Sequence, residues 1–420
     1  MKNIFRPADI LLPQNTDYSK WSVVACDQYS SEPEYWRAAA EYVGDAPSTL
    51  NLIFPEAFLN DDDGDERIQA INAAMKKYLA DGIFKEYHQS LIYVERTQAN
   101  GKTRRGIVGA VDLEYYDYTP GTEPAVRATE GTIIERIPPR QRIRRGAALE
   151  LPHIIMLIDD RNRKIVEDVA KRAAEFELLY DFELMQGGGH IKGRLLDESA
   201  KSAFLSGLAE LEDKAEFEKK YGVKGHETLV IAVGDGNHSL ATAKACWEEI
   251  KPTLTEEERQ AHPARFALAE LMNLHDDTLE FEPIHRVVFG VDADAVEKAL
   301  YEYYPQISVT DNGGQKIVVV RNGEEKAIYV KNAPCNLAVG TLQKFLDEYL
   351  DKNGGEVDYI HGADVVKALT KKENTIGFIF DGMEKNELFE TVIKDGALPR
   401  KTFSMGEACD KRYYLEAKRI

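Results

Sequence analysis

The chain is poor in cysteine. Cys26, Cys246, Cys335 and Cys409 are its four, widely scattered and without a CxxC pair. That spacing excludes a zinc ribbon or a disulfide framework as the source of stability. No run approaches the ~20 apolar residues needed to cross a bilayer. The opening Met1-Lys2-Asn3-Ile4-Phe5-Arg6-Pro7 lacks the apolar centre of a secretory signal, so a cytoplasmic protein with no membrane partner is expected. Positive charge is in deficit, with 53 Lys and Arg against 72 Asp and Glu and a formal charge of −19. Such a chain repels phosphate backbones at long range, and nucleic acid is not an expected partner. Low-complexity tracts and fixed-period repeats are also missing, which excludes solenoids and disordered arrays.

What is present is ordinary globular composition, 43% apolar and 30% charged, in 420 residues. That length suggests two or three domains with a sizeable core. Val23-Val24-Ala25-Cys26 and Leu50-Asn51-Leu52-Ile53-Phe54 read as buried strands around a helix over 34–42. Asp61-Asp62-Asp63-Gly64-Asp65 lacks the spaced ligands and closing Glu of a calcium loop, and reads as a solvated helix start. Residues 91–95 and 106–115 form a hairpin pattern across Ala99-Asn100-Gly101-Lys102. Pro120 and Pro124 mark a boundary. The spacing predicts a central α/β unit over 121–290 and a second α/β layer over 291–420, with an N-terminal α/β region over 1–120. In the central unit, strands are expected over 154–158 and 228–233. A charged helical stretch is expected over 195–221, and a helix after Ser239 carrying Leu240, Ala243, Trp247 and Ile250 on one face.

The segment Gly234-Asp235-Gly236-Asn237-His238-Ser239 lies between that strand and that helix. A helix start presents unpaired N–H groups and partial positive charge. Two glycines admit close backbone approach, and together these features make an anion site. His238 is a candidate phosphate donor or proton shuttle, and Asp235 a candidate metal or hydroxyl partner. The plainer reading is a strand-to-helix turn capped by Asn237 or Ser239. The loop is neither a Walker A motif nor GxGxxG.

Six arginines fall within nineteen residues from Arg127 through Arg136, Arg140, Arg142, Arg144 and Arg145. Arginine suits bidentate contact with phosphate or carboxylate. Arg142, Arg144 and Arg145 read as a solvated face, while Arg127 and Glu130 near a strand end are site candidates, Glu130 as a general base toward a hydroxyl. Pro283-Ile284-His285-Arg286 either completes an anion pocket or forms a surface turn, and the sequence leaves both open. Cys26 has no neighbouring cation and reads as a packing residue. His190, after three glycines, reads as a locally bonded histidine.

The order of Phe5-Arg6-Pro7, Cys26-Asp27-Gln28, Arg127-Ala128-Thr129-Glu130, Leu157-Ile158-Asp159-Asp160, Gly234-Asp235-Gly236-Asn237-His238 and Pro283-Ile284-His285-Arg286 resembles the domain-of-unknown-function family 1015 across nearly the whole chain. That family is in turn similar to the ParB/sulfiredoxin-like fold and to the free-serine kinases built on it. The resemblance implies a mixed α/β (α+β) fold with a ParB/sulfiredoxin-like central unit. It also implies a nucleotide (ATP or ADP) with Mg2+ on Gly234, Asp235, Gly236, Asn237 and Ser239, helped by Arg127, Arg136, His285 and Arg286. Glu130 and His238 would be catalytic. The expected function is a nucleotide-dependent phosphotransferase acting on a small hydroxyl-bearing metabolite, free serine or phosphoserine in reverse being the amino-acid case. The alternative is a non-catalytic regulatory protein that binds a nucleotide or phosphometabolite. The metal ligands and the oligomeric state stay open. Three departures bear on this. Asn237 stands where the family's Asp-Gly-His-His-Arg loop has its first His, Ser239 where it has Arg, and Ala128-Thr129 where Pro-His is usual before the Glu.

Overall fold

The computed structural model describes residues 2–420. The chain is a mixed α/β protein that divides into two compact units. The first comprises the chain up to Ala128, Thr132–Leu279 and Gly406–Ile420; the second comprises Thr129–Gly131 and Glu280–Met405.

The first unit is built on a sheet of nine strands among the described residues. From one edge the order is Val126–Ala128, Ile231–Asp235, Ile155–Ile158, Phe266–Asn273, Thr103–Asp112, Ile92–Thr97, His190–Leu195 and Glu177–Glu183, with Phe5–Arg6 against Thr103–Asp112. Ile231–Asp235 runs parallel to Val126–Ala128 and antiparallel to Ile155–Ile158, so the sheet is mixed. Side chains alternate between its two faces. Met156, Ile158, Ile231 and Val233 join Leu240, Ala243 and Trp247 in one core. Ile92, Val94, Val108, Ala110 and Leu268 join Trp21, Met75, Leu415 and Ala417 in the other. Burial on both faces is why these strands read as continuous apolar runs.

The predicted hairpin is present, with Ile92 opposite Val108 and Thr97 opposite Thr103, closed by Gln98 N–H donating to Lys102 C=O at 2.9 Å. The 61–65 run is the start of the helix Gly64–Ala80. Other expectations are corrected. Leu50–Phe54 is no strand, because Ser48 Oγ accepts from Leu50 N–H at 3.2 Å and starts the 3₁₀ turn Thr49–Leu52. The extended 23–26 segment pairs with no neighbouring strand but with the chain's end, through Ala25 N–H to Lys411 C=O at 2.7 Å and Tyr413 N–H to Val23 C=O at 3.1 Å. The 195–221 stretch is two helices, Glu198–Glu210 and Lys214–Tyr221, separated because Asp213 accepts from Ala215 and Glu216 N–H and starts the second. The three predicted regions also differ from the two units. Strands from 92–112 share one sheet with 155–158 and 231–235, and the last fifteen residues fold into that same unit.

The second unit is an antiparallel sheet ordered Ile307–Ser308, Glu324–Val330, Gln315–Arg321, Thr375–Ile379, Glu282–Phe289 and Glu356–His361, with Phe403–Ser404 against Glu282–Phe289. The helices Ala293–Tyr303, Ala338–Asn353, Ala363–Leu369 and Lys385–Lys394 belong to it.

Candidate functional site

The strand Ile231–Asp235 ends in a turn whose geometry glycine dictates. Gly236 has φ +83°, and a Cβ added there would lie 3.0 Å from Ile154 Cγ1 and 3.1 Å from Ile154 Cα. Both the left-handed backbone and the close approach of Ile154 exclude a side chain. Gly236→Val is therefore expected to destabilise the protein by about 1–3 kcal/mol, read as a lowered urea midpoint with unchanged m-value. An unchanged midpoint would show the turn to be tolerant.

Asp235 is turned back on this loop, its Oδ1 accepting from Gly236 N–H at 2.9 Å and its Oδ2 facing Lys411 Nζ at 3.1 Å. The helix Asn237–Ile250 begins at once, with Gly236 as N-cap. Neither Asn237 nor Ser239 is the cap, because the chain turns into the helix at Gly236, one residue before Asn237. A fourteen-residue helix thus starts without a capping side chain, the condition under which N–H groups and helix dipole favour an anion.

His238 is not the cationic donor that the sequence suggested. Its Nε2 accepts from Ile133 N–H at 3.2 Å, which places the ring proton on Nδ1. Desolvation and the charges of Arg140 and Arg136 depress its pKa to about 4. The imidazole is neutral through the physiological range, so proton shuttling near pH 7 is not available to it.

The next residue points elsewhere. Ser239 Oγ lies 2.9 Å from His153 Nε2. Ser239, Thr242 and Ala243, on one face of the helix, line a cavity of about 150 Å3. Its walls are apolar, with Leu52, Phe54, Ile71, Met75, Ile143, Leu149, Leu151 and Leu268 among them. Cys26, Glu56, Arg140, Arg144, His153 and Tyr413 add polar groups. The helix Ile137–Arg144 begins with prolines and carries Arg140 and Arg144 one turn apart, both facing this cavity. Arg140 pairs with Glu56 and Arg144 with Glu150. Arg142 and Arg145 turn outward to Asp65 and Glu249. The solvated-face reading therefore holds for Arg142 and Arg145 and fails for Arg144. Burial pushes the Cys26 thiol up to about 12, in keeping with a packing residue.

The remaining candidates are placed as follows. Arg136 is exposed, and its carbonyl accepts from Arg140 Nη1 at 2.9 Å. Arg127 is buried, its Nε and Nη2 donating to the carbonyls of Pro124 and Glu227 at 2.9 and 2.6 Å. Those bonds tie the guanidinium to the edge strand and the 227 loop. Arg286, in the second unit, is fully buried. It donates to Gln343 Oε1 and to the carbonyls of Ile284, Arg400 and Lys401 at 2.7–3.0 Å, and lies 4.6 Å over the Tyr359 ring. It staples that unit together and is neither an anion clamp nor a surface residue. His285 beside it is buried, and desolvation lowers its pKa. Glu130 also lies in the second unit, its Oε1 accepting from Lys401 N–H at 3.2 Å. His190 is held by Asp181 at 2.7 Å.

Sequence reasoning missed His153, Glu56 and Tyr413, and left Arg140 without a role. The Arg140/Arg144 spacing was a usable signal. His153 carries none, because its partner Ser239 is 86 residues away. Among the described residues, the three-ligand cluster able to hold a metal is Asp9, Glu86 and His88, which sits on the ribbon of strands Ala8–Pro13 and Phe84–Ser90.

The fold and site thus define a mixed α/β protein with a glycine-led helix start beside an apolar, arginine-edged cavity. The chain belongs to the family described as "Protein of unknown function (DUF1015)", whose model matches residues 6–349. No curated protein matches it. Among solved structures it is similar to a free serine kinase in complex with AMP, at 11% identity and a TM-score of 0.38, covering 74% of this chain and 91% of that one. It is similar to a free serine kinase mutant in complex with ADP at 10% identity and a TM-score of 0.39, covering 74% and 92%. A conserved hypothetical protein from Pyrococcus furiosus gives 10% identity and a TM-score of 0.36, covering 75% and 94%.

Proposed function

We propose that this protein is a nucleotide-dependent phosphotransferase acting on a small hydroxyl-bearing metabolite. One observation carries the reading: the helix Asn237–Ile250 starts at a glycine N-cap, and its first turns line a cavity edged by Arg140 and Arg144. Phosphate oxygens lie over the helix start, Arg140 adds charge-assisted bonds, and the apolar walls receive the non-reacting part of the ligand. Catalysis at this cavity is positioning plus charge stabilisation. His238 acts as a neutral ring that orders the 132–133 backbone. A magnesium ion here would take most of its ligands from phosphate and water, since Asp235, the turn's carboxylate, is already engaged by Lys411.

The departure of Ser239 from the family's Arg, together with the neutral His238, favours a second reading: a sensor that binds the same ligand without turnover. Calorimetric titration with ADP and ATP, paired with a turnover assay, separates them. Arg140→Ala is expected to weaken binding by about 1–3 kcal/mol, the worth of a hydrogen bond to a charged group. Tight binding with no turnover by the unaltered protein selects the sensor, and absence of nucleotide binding sinks both.

A further inference from the structure

We propose that Ser239 is an acylatable nucleophile activated by His153, and that the cavity beside it takes the short apolar acyl group of a carboxylic ester. This goes beyond phosphotransfer and uses no nucleotide. The first observation is the pair itself: Ser239 Oγ stands 2.9 Å from His153 Nε2, the reach at which an imidazole takes a hydroxyl proton. Both residues line the same cavity of about 150 Å3, the volume at which a wholly apolar protein cavity holds one benzene ring. Leu52, Phe54, Ile143 and Leu151 among its walls suit an aryl group or an acyl chain of roughly four to six carbons.

Two further features match what acyl transfer needs. Ser239 is the third residue of the helix Asn237–Ile250. The N–H groups and dipole of that first turn therefore lie where negative charge develops on the carbonyl oxygen. His153 Nδ1 is buried without a hydrogen-bond partner among the described residues, so no protein group ties the ring away from the serine. The Asp27 carboxylate acts on the His153 ring through charge, not through a hydrogen bond to Nδ1. Desolvation raises the Asp27 carboxyl, but His153, the Gln28 amide, Lys411 and a backbone hydrogen bond together outweigh this and hold it below its ordinary value. Cys26, in the same lining, is no competitor as a nucleophile, its thiol being pushed up to about 12.

The steps balance without a co-reactant other than water. Ser239 Oγ bonds to the ester carbonyl carbon as its proton passes to His153 Nε2. The tetrahedral oxyanion collapses, the C–O bond to the alcohol breaks, and the leaving oxygen takes that proton. Water then attacks the acyl-serine, giving its own proton to His153. Collapse releases the carboxylic acid, and Ser239 Oγ takes the proton back.

The test is an alkyl fluorophosphonate, followed by intact mass and peptide mapping of the full chain. One adduct on Ser239 is expected, absent in Ser239→Ala. In His153→Asn the labelling rate should fall by roughly 10²–10⁴-fold, the usual worth of general-base catalysis, and added imidazole should restore part of it. Thermal melts of both variants verify that the fold is kept. With p-nitrophenyl esters, kcat/KM should rise from acetate to butyrate or hexanoate and fall at decanoate as the cavity is exceeded. Full labelling of a control serine hydrolase with none of this protein overturns the proposal. So does an adduct on another residue, or labelling indifferent to His153.

Discussion

Replacing Glu270 by alanine is expected to destabilise the protein by about 3–5 kcal/mol, because it leaves a buried arginine without its counter-charge. Glu270 lies on the strand Phe266–Asn273 and is 3% exposed. Its Oε2 accepts from Tyr414 O–H at 2.8 Å and faces Arg104 Nη2 at 3.3 Å, and Arg104 also contacts the Tyr414 hydroxyl. Burial lowers the Arg104 pKa, but Tyr414 and Glu270 more than compensate and hold it above its ordinary value. The neighbouring strand makes room for the carboxylate with a glycine: a Cβ on Gly106 would fall 2.3 Å from Glu270 Oε1. The triangle joins a hairpin strand, a central strand and the chain's last segment in one desolvated contact. Urea unfolding measures the effect. Exchanging Glu270 for leucine and Arg104 for methionine together should recover much of the loss, since a well-packed apolar replacement of a buried pair is often neutral. A loss below about 1 kcal/mol in the single variant would mean that Arg104 finds water or another partner.

The second large effect is a pH dependence centred on Glu416. Its side chain is fully buried, with Oε1 accepting from Tyr180 O–H at 2.8 Å and Oε2 without a partner among the described residues. Desolvation pushes its pKa from 4.5 up to about 7, only partly offset by the Tyr180 bond. The folded protein therefore holds a proton between pH 4.5 and 7 that the unfolded chain releases. The associated stability is complete below pH 4.5, declines as pH rises, and is gone above pH 7. Its size is about 3 kcal/mol, since each tenfold gain in proton affinity is worth about 1.4 kcal/mol. Glu416→Gln should remove this slope, so the variant gains about 3 kcal/mol relative to the unaltered protein between pH 4.5 and pH 8. Urea midpoints across that range decide it, and parallel curves for the two proteins would sink the assignment.

Both effects run through residues 406–420, which the sequence assigned to a C-terminal region and the structure folds into the first unit. Nothing local in Arg412-Tyr413-Tyr414-Leu415-Glu416 announces a partner. The segment's long-range bonds are with Ser22, Val23, Arg104, Tyr180 and Glu270, between 144 and 390 residues away. Periodicity records which face of an element is apolar, and carries no information on which distant segment covers it.

By itself, the sequence determined the mixed α/β class, the hairpin over 92–112, a strand and a helix meeting near Gly236, with the strand at Ile231–Asp235 rather than 228–233, and the absence of a spanning helix among the described residues. These follow from local physics: β-branched runs, turn chemistry, and the 3.6-residue stripe of Leu240, Ala243 and Trp247. Gly236 is singled out in the sequence for close approach to a ligand, and only the structure shows that its φ of +83° and the packing of Ile154 require glycine. Tertiary structure alone decided which charged groups are available to a ligand. It tied Arg127 to the carbonyls of Pro124 and Glu227 and buried Arg286 among backbone oxygens. It made His238 neutral by desolvation and nearby arginines, and brought His153 to Ser239 from 86 residues away. Protonation state and hydrogen-bond occupancy depend on everything packed around a group, and that neighbourhood is set by sheet order rather than by sequence neighbours.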